Sequence, residues 1–176
     1  FDVVEATMSE GEIEMSGTTT EVATSPEVIT TPDPTLKTPE AKDALKKLDV
    51  EIGVMAFVLQ FAPQDFVSIP KHGTIQYHPS LLPKYRGPSS ITCPISRGET
   101  KTGLTIFRPT DGLDEGPVIL QKETPIGPDD TLGTVYFDRL FPMGVQAMLE
   151  AADLVLAGKH KEVVQDEAQA TYDRER

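Results

Sequence analysis

Thr74-Ile75-Gln76-Tyr77-His78-Pro79-Ser80-Leu81-Leu82-Pro83-Lys84-Tyr85-Arg86-Gly87 is the stretch whose reading decides the fold. Gly73 opens it, and its first five residues read as a short strand rich in β-branched and aromatic side chains. Pro79 closes the strand, and Pro79 and Pro83 stiffen the loop that follows. Upstream, Glu51-Ile52-Gly53-Val54-Met55-Ala56-Phe57-Val58 is an almost unbroken apolar run whose length suits a buried parallel strand. A short helix from Gln64 to Ser68 falls between the two. Strand, helix, strand is the signature of an α/β fold.

Working outward, Thr38-Pro39-Glu40 reads as a helix start: a capping hydroxyl, a proline for the first turn and an acid near the positive end. Ala41, Ala44, Leu45 and Leu48 share one face of that helix. Beyond Gly87 a helix is expected from Ser89 to Arg97, with Pro94 in its first turns or kinking it. Thr102 to Arg108 and Val118 to Glu123 read as antiparallel strands, joined by a loop carrying Asp111 to Gly116. Pro128-Asp129-Asp130-Thr131 is a helix-start signal, and the helix runs on through Tyr136 and Leu140. The last helix is expected from Gly144 to Ala157, with Val145, Met148, Leu149, Ala152, Val155 and Leu156 on one side. Gly158 stops it, and a polar tail follows. Residues 1–35 are dominated by Thr, Ser, Glu and Pro. They are expected to be a partly ordered acidic arm or remnant, with short strands possible at Phe1–Val4 and Glu27–Thr30. Residues 36–176 are expected to form the domain proper.

The 176 residues suffice for one domain with its own core. Net charge is -12, and nine acidic residues against Lys37 alone lie within positions 1–40. An acidic chain with no basic stripe is a poor candidate for unaided nucleic-acid binding. Cys93 is the single cysteine, so no intrachain disulfide forms, and a reducing, cytoplasmic location is the expectation. No apolar run approaches the roughly 20 residues a membrane span needs. With three histidines and one cysteine well separated, the chain shows no zinc pattern, and no metal is expected.

His78 stands at the carboxyl end of a strand, where α/β folds collect ligands, and a histidine there is a candidate acid or base. The plain alternative is a structural histidine bonded to nearby backbone. Asp114 lies in the loop between two later strands. Asp111-Gly112 accounts for the turn there, so Asp114 is left over, with Leu113 expected to anchor the loop inward. A carboxylate beside an imidazole orients it. Gln76 shares a strand face with His78, and its amide is a candidate oxyanion donor, or else serves only a neighbouring loop. Lys84 and Arg86 read as solvated loop charges, or as holders of an anionic substrate tail beside a site. Cys93 reads as a helix-packing residue rather than a nucleophile.

Together, Tyr77-His78-Pro79-Ser80-Leu81-Leu82-Pro83 with Arg86-Gly87, Gly98-Glu99-Thr100-Lys101-Thr102-Gly103 and Asp111-Gly112-Leu113-Asp114 resemble the folate-dependent formyltransferase family. Pro128-Asp129-Asp130-Thr131 and Leu140-Phe141-Pro142 with Gly144 look especially like the hydrolase domain of its 10-formyltetrahydrofolate dehydrogenases. The resemblance spans roughly residues 36–176. It implies a Rossmann-like core with a twisted, mostly parallel sheet flanked by helices. It also implies transfer of a formyl group from 10-formyltetrahydrofolate to an acceptor amine or to water. His78 and Asp114 fall where the family carries its catalytic pair, and Gln76 where transferases carry Asn. The folate is expected against Val58, Leu59, Gln60 and Phe61, with Leu82, Arg86, Asp111 and Gly112 also contributing.

Two departures accompany the resemblance. The family opens with a strand, a glycine turn and a helix; residues 1–35 show no such opening, so the first strands read as missing or atypical. No counterpart of the further domain of tRNA-formylating members follows, which speaks against tRNA as the acceptor. The alternatives are a 10-formyltetrahydrofolate hydrolase only, or a truncated, non-catalytic folate-binding relative. An NAD-binding domain is disfavoured because no G-x-G-x-x-G follows a strand.

Overall fold

A computed structural model describes the backbone of residues 3–9, 12–18 and 27–30, and residues 36–56, 58 and 61–172. The chain forms two compact units, residues 1–75 and 76–176.

In the first unit, β1 (Val3–Ser9) pairs antiparallel with β2 (Glu12–Thr18), and β2 with β3 (Glu27–Thr30). An antiparallel meander therefore stands where a strand–turn–helix opening would. β1 also pairs in parallel with β4 (Gly53–Met55) through Val4 and Gly53. Helix α1 (Pro39–Lys47) forms as its ends dictate: Thr38 Oγ1 accepts from Ala41 N at 3.2 Å, Pro39 fits the first turn, and Lys46 and Lys47 sit in the last. Ala41 and Leu45 on its buried face join Leu36, Val50, Met55, Ala62 and Val67 in one apolar core. Short helix α2 (Gln64–Val67) contributes Val67 to that core, and the Val67 carbonyl accepts from the buried Thr74 hydroxyl at 2.7 Å.

In the second unit, the end of β5 (Thr74–His78) pairs antiparallel with β6 (Lys101–Phe107), and β6 with β7 (Val118–Pro125). The α/β class and Rossmann-like core hold, but the sheet is mixed rather than mostly parallel. The reason lies in the connection after His78: it returns through the short helix α3 (Thr92–Ser96), and β6 runs back beside β5. Helix α3 is shorter than the sequence expectation, with turns occupying residues 89–91 and Pro94 inside its first turn.

The closing helix is continuous from α4 (Leu132–Val135) through a π-turn (Tyr136–Leu140) into α5 (Phe141–Leu156). Thr131 and Thr134 cap its start reciprocally, and Asp130 accepts from Gly127 N at 2.7 Å. The π-turn precedes Pro142, which has no N–H to donate and whose ring crowds the turn before it; a wider turn relieves both.

The face expected to be buried on this helix is corrected. Gly144, Ala147, Ala151 and Val155 are buried, whereas Val145 and Leu149 are 46% and 56% exposed. Small residues face inward because the helix lies close against the sheet: a Cβ at Gly144 would stand 2.7 Å from Tyr77 Cε2. Among the described residues no helix is long and apolar enough to cross a membrane.

Candidate active site

The carboxyl end of β5 delivers His78 into the interior, its side chain only 8% exposed. The loop behind it, residues 79–87, is itself buried for much of its length, so its backbone groups need partners. Thr105 on β6 supplies them. Its hydroxyl donates to Ser80 O at 2.7 Å and accepts from Leu82 N at 3.1 Å and Gln121 Nε2 at 2.9 Å, using all three of its hydrogen-bonding positions. Gln121 on β7 also donates to Leu82 O at 2.8 Å. The fully buried Ser80 hydroxyl closes the loop on Lys84 O at 2.7 Å. The Leu82–Pro83 peptide is cis.

This loop then turns Tyr85 into the left-handed region, φ 58°, and its carbonyl meets His78 Nε2 at 2.8 Å. A carbonyl only accepts, so Nε2 carries the hydrogen in this contact. The other ring nitrogen, Nδ1, lies 3.5 Å from Asp114 Oδ2. Asp114 is also left-handed, φ 54°, and its side chain is 9% exposed. The same Oδ2 accepts from Gly87 N at 2.8 Å. His78 is thus clasped on both ring nitrogens by residues in a backbone conformation that L side chains disfavour, a feature that clusters at functional sites.

The loop carrying Asp114, residues 108–117, begins after a register shift at Ile106/Phe107. It closes where Arg108 N donates to Pro117 O at 2.9 Å. Gly116 is required there, because a Cβ would fall 1.5 Å from Arg108 O. Leu113 does not anchor this loop inward as expected: it is 57% exposed. What holds Asp114 is polar instead, the Gly87 N–H on its carboxylate and the Gln165 amide, which donates to Asp114 O and Gly116 O, each at 2.8 Å.

Arg86 also differs from its reading as a solvated loop charge. It is 0% exposed, and every contact of its guanidinium is internal. Nη1 and Nη2 bond the two Glu167 oxygens at 2.9 and 2.6 Å, Nε and Nη2 reach Gln165 Oε1 at 3.2 and 2.8 Å, and Nη1 meets the Tyr172 hydroxyl. These partners replace the water that the buried guanidinium gives up, although Glu167 itself remains largely exposed. These bonds hold the Glu167 carboxyl below its ordinary range. Burial, and then the bond to Glu99, raises the Tyr85 phenol above its own.

Gln76 is half-buried on the strand face of His78, paired in register with Phe107. Leu82 is buried, with both backbone groups taken by Thr105 and Gln121. Asp111 is exposed and Gly112 half-buried. Val58 packs against the first unit's core, and Phe61 is exposed beneath the Lys37 ammonium, 5.1 Å from its ring centroid. Leu59 and Gln60 lie outside the described residues. Cys93 is half-buried and forms no disulfide. Among the described residues no group of three or more His, Cys, Asp and Glu side chains could hold a metal.

The sequence reading missed Tyr85 O, Thr105, Gln121 and Gln165. A backbone carbonyl leaves no trace in sequence. Thr105 left a faint one, a polar residue in a strand whose positions from Thr102 to Phe107 are all buried.

A buried histidine held between a carbonyl and a carboxylate, at a strand end, is a constellation for moving one proton. Comparison with known proteins fixes its family: residues 7–152 match the family described as "Formyl transferase". The chain belongs to the formyl transferase family. It is 42% identical over 134 residues to mitochondrial 10-formyltetrahydrofolate dehydrogenase of Homo sapiens, covering 76% of this chain and 14% of that protein. It is 38% identical over 137 residues to methionyl-tRNA formyltransferase of Geobacter sulfurreducens, covering 78% and 43%. HypX from Aquifex aeolicus, solved in complex with tetrahydrofolic acid, shares the fold at TM-score 0.67 and 22% identity, covering 78% of this chain and 24% of that one. The chain therefore spans 14% of the length of the human dehydrogenase it matches.

Proposed function

We propose that this chain is the formyl-handling part of a folate-dependent enzyme, releasing the formyl group of 10-formyltetrahydrofolate to an amine or to water. The reaction rests on His78, Asp114 and Gln76. The single observation that carries the reading is the clasp on His78, with Nε2 on Tyr85 O at 2.8 Å and Nδ1 at 3.5 Å from the Asp114 carboxylate.

In this reading the Tyr85 carbonyl fixes the Nε2–H tautomer and leaves the Nδ1 lone pair as the base. The incoming amine or water attacks the formyl carbon, the carbonyl electron pair moves to oxygen, and the acceptor's proton passes to Nδ1. The Asp114 carboxylate then lies beside a positive imidazolium, the charge pair that forms only as the reaction proceeds. The Gln76 amide, on the same strand face, donates to the developing oxyanion. Collapse breaks the bond from the formyl carbon to the folate nitrogen, and the proton on Nδ1 passes to that nitrogen. The chemistry is assigned to residues 36–176. Arg86, with its donors already engaged, is given no part in holding the folate.

The family resemblance and the likeness to 10-formyltetrahydrofolate dehydrogenases support folate as the donor. The test is to incubate the chain with 10-formyltetrahydrofolate and follow tetrahydrofolate release, with and without an added amine. Release that depends on His78 supports the proposal, and an amine-dependent rate marks transfer rather than hydrolysis. Tetrahydrofolate binding without release would leave a folate-binding relative that does not turn over.

A further inference from the structure

Residues 163–172 lie beyond the stretch that matches the family and read in sequence as a polar tail. They nevertheless touch both loops that clasp His78. Toward the first loop, Thr171 Oγ1 accepts from Tyr85 N at 2.8 Å, Thr171 O accepts from Arg86 N at 2.9 Å, and Thr171 N donates to Pro83 O at 3.1 Å. At the start of β7, just past the second, Val163 and Val118 exchange backbone bonds at 2.8 and 2.9 Å. Gln165, buried, joins the two. Its Oε1 accepts from Arg86 Nε and Nη2 in the first loop, and its Nε2 donates to Asp114 O and Gly116 O in the second.

We infer that Gln165 is a positioning residue for the His78–Asp114 pair, tying the loop that holds one ring nitrogen to the loop that holds the other; this rests on the reading of that pair under Proposed function. Asp114 sits at φ 54°, a conformation it does not prefer, and its carbonyl is fixed there by Gln165 Nε2. Release of that carbonyl lets the residue turn toward an ordinary backbone angle and carries its carboxylate away from Nδ1. Displacing a catalytic group by about 1 Å costs on the order of a hundredfold in rate. Nothing in the arrangement has Gln165 touching the reacting atoms, so its removal acts on turnover through Asp114 and leaves folate binding alone.

Two substitutions in the full chain separate positioning from plain structure. Gln165→Met keeps the volume and removes every polar contact. Gln165→Glu keeps an acceptor for Arg86 and removes both donors to the Asp114 loop. Tetrahydrofolate release from 10-formyltetrahydrofolate, tetrahydrofolate affinity and thermal melting are measured on the same samples, alone and in an Asp114→Asn background. Both variants are expected to lower kcat at least about tenfold, with KM and tetrahydrofolate affinity within about threefold. Gln165→Met is expected to add no further slowing once Asp114 is Asn, because residues acting through one another are not additive.

A slow Asp114→Asn protein beside a Gln165→Met or Gln165→Glu protein at wild-type kcat overturns the inference, as do losses that multiply in the double variant. An Asp114→Asn protein at wild-type rate removes the reacting pair itself, and with it the reason for a positioning residue. If Gln165→Met does not fold, Gln165→Glu decides: folded and slow supports the inference, folded and fully active ends it.

Discussion

The two loops that clasp His78 differ in what lies beneath them. Residues 79–87 are packed inward and tied to the strands by Thr105 and Gln121, with Thr171 and the partners of Arg86 adding bonds from the C-terminal segment. Residues 108–117 expose Leu113 and are tied by a glutamine 51 positions beyond Asp114. The first loop shares the stability of the sheet. The second borrows its order from a segment with no core of its own. A fault in the first should therefore appear as lost stability, and a fault in the second as lost rate in a protein that still folds.

The largest effect is expected where the two loops meet. His78→Ala should slow formyl release at least about a hundredfold per folded molecule, the usual contribution of a general acid or base, beyond the modest stability lost with its bond to Tyr85 O. A wild-type rate would show that the clasp serves structure only. Next comes a pair of substitutions that sets one loop against the other. Thr105→Val strands Ser80 O and Leu82 N in the interior, while the exposed Gln121 amide can turn to water, and should cost about 2–3 kcal/mol in denaturant unfolding. Gly116→Ala drives a Cβ into Arg108 O and should cost more than about tenfold in rate with a smaller loss of stability. The reverse pattern would break the comparison.

A smaller effect is expected at Gln76, which belongs to neither loop. Gln76→Leu should slow release by about tenfold with tetrahydrofolate affinity retained, and Gln76→Asn should stay active. An unchanged rate per folded molecule would remove Gln76 from the site.

The smallest effect lies away from the clasp and serves as its control. Asp130 is held down to about 2, below the ordinary 3.8, first by the Arg139 guanidinium and then by Gly127 N and the Thr134 hydroxyl. A depressed carboxyl stabilises the fold above its unfolded value, and that contribution is lost as pH falls toward 2. Arg139→Gln should move the Asp130 titration, followed by carboxyl NMR, up toward the ordinary range while the rate at neutral pH stays unchanged. Titration still near 2 in that variant would show that Arg139 is not the cause.

How much of this was legible in the sequence follows the same division. The α/β order, the helix caps at Thr38 and Thr131 and the place of His78 at a strand end are set by local residues, and they were readable; Asp114 is held by Gly87 and Gln165, which are remote in sequence. The direction of β6 was legible only as a strand, because pairing partners are chosen by tertiary contacts. The buried face of α5 was misread toward Val145 and Leu149, because hydrophobicity was weighed without the close approach that Gly144 and Ala147 allow. Arg86 was misread as a solvated charge because its partners Gln165, Glu167 and Tyr172 are about eighty residues away. Thr171 and Gln165 had no local signal at all; in sequence they are polar residues of a tail.

The central claim is that His78 works through Nδ1, its Nε2 being held by the Tyr85 carbonyl. Nitrogen-15 NMR of the histidine rings, recorded where the His78 ring is neutral, tests this directly. The proton is expected on Nε2, with the Nδ1 resonance shifting in Asp114→Asn and the Nε2 resonance holding. A proton on Nδ1, or an Nδ1 resonance indifferent to Asp114→Asn, would contradict it.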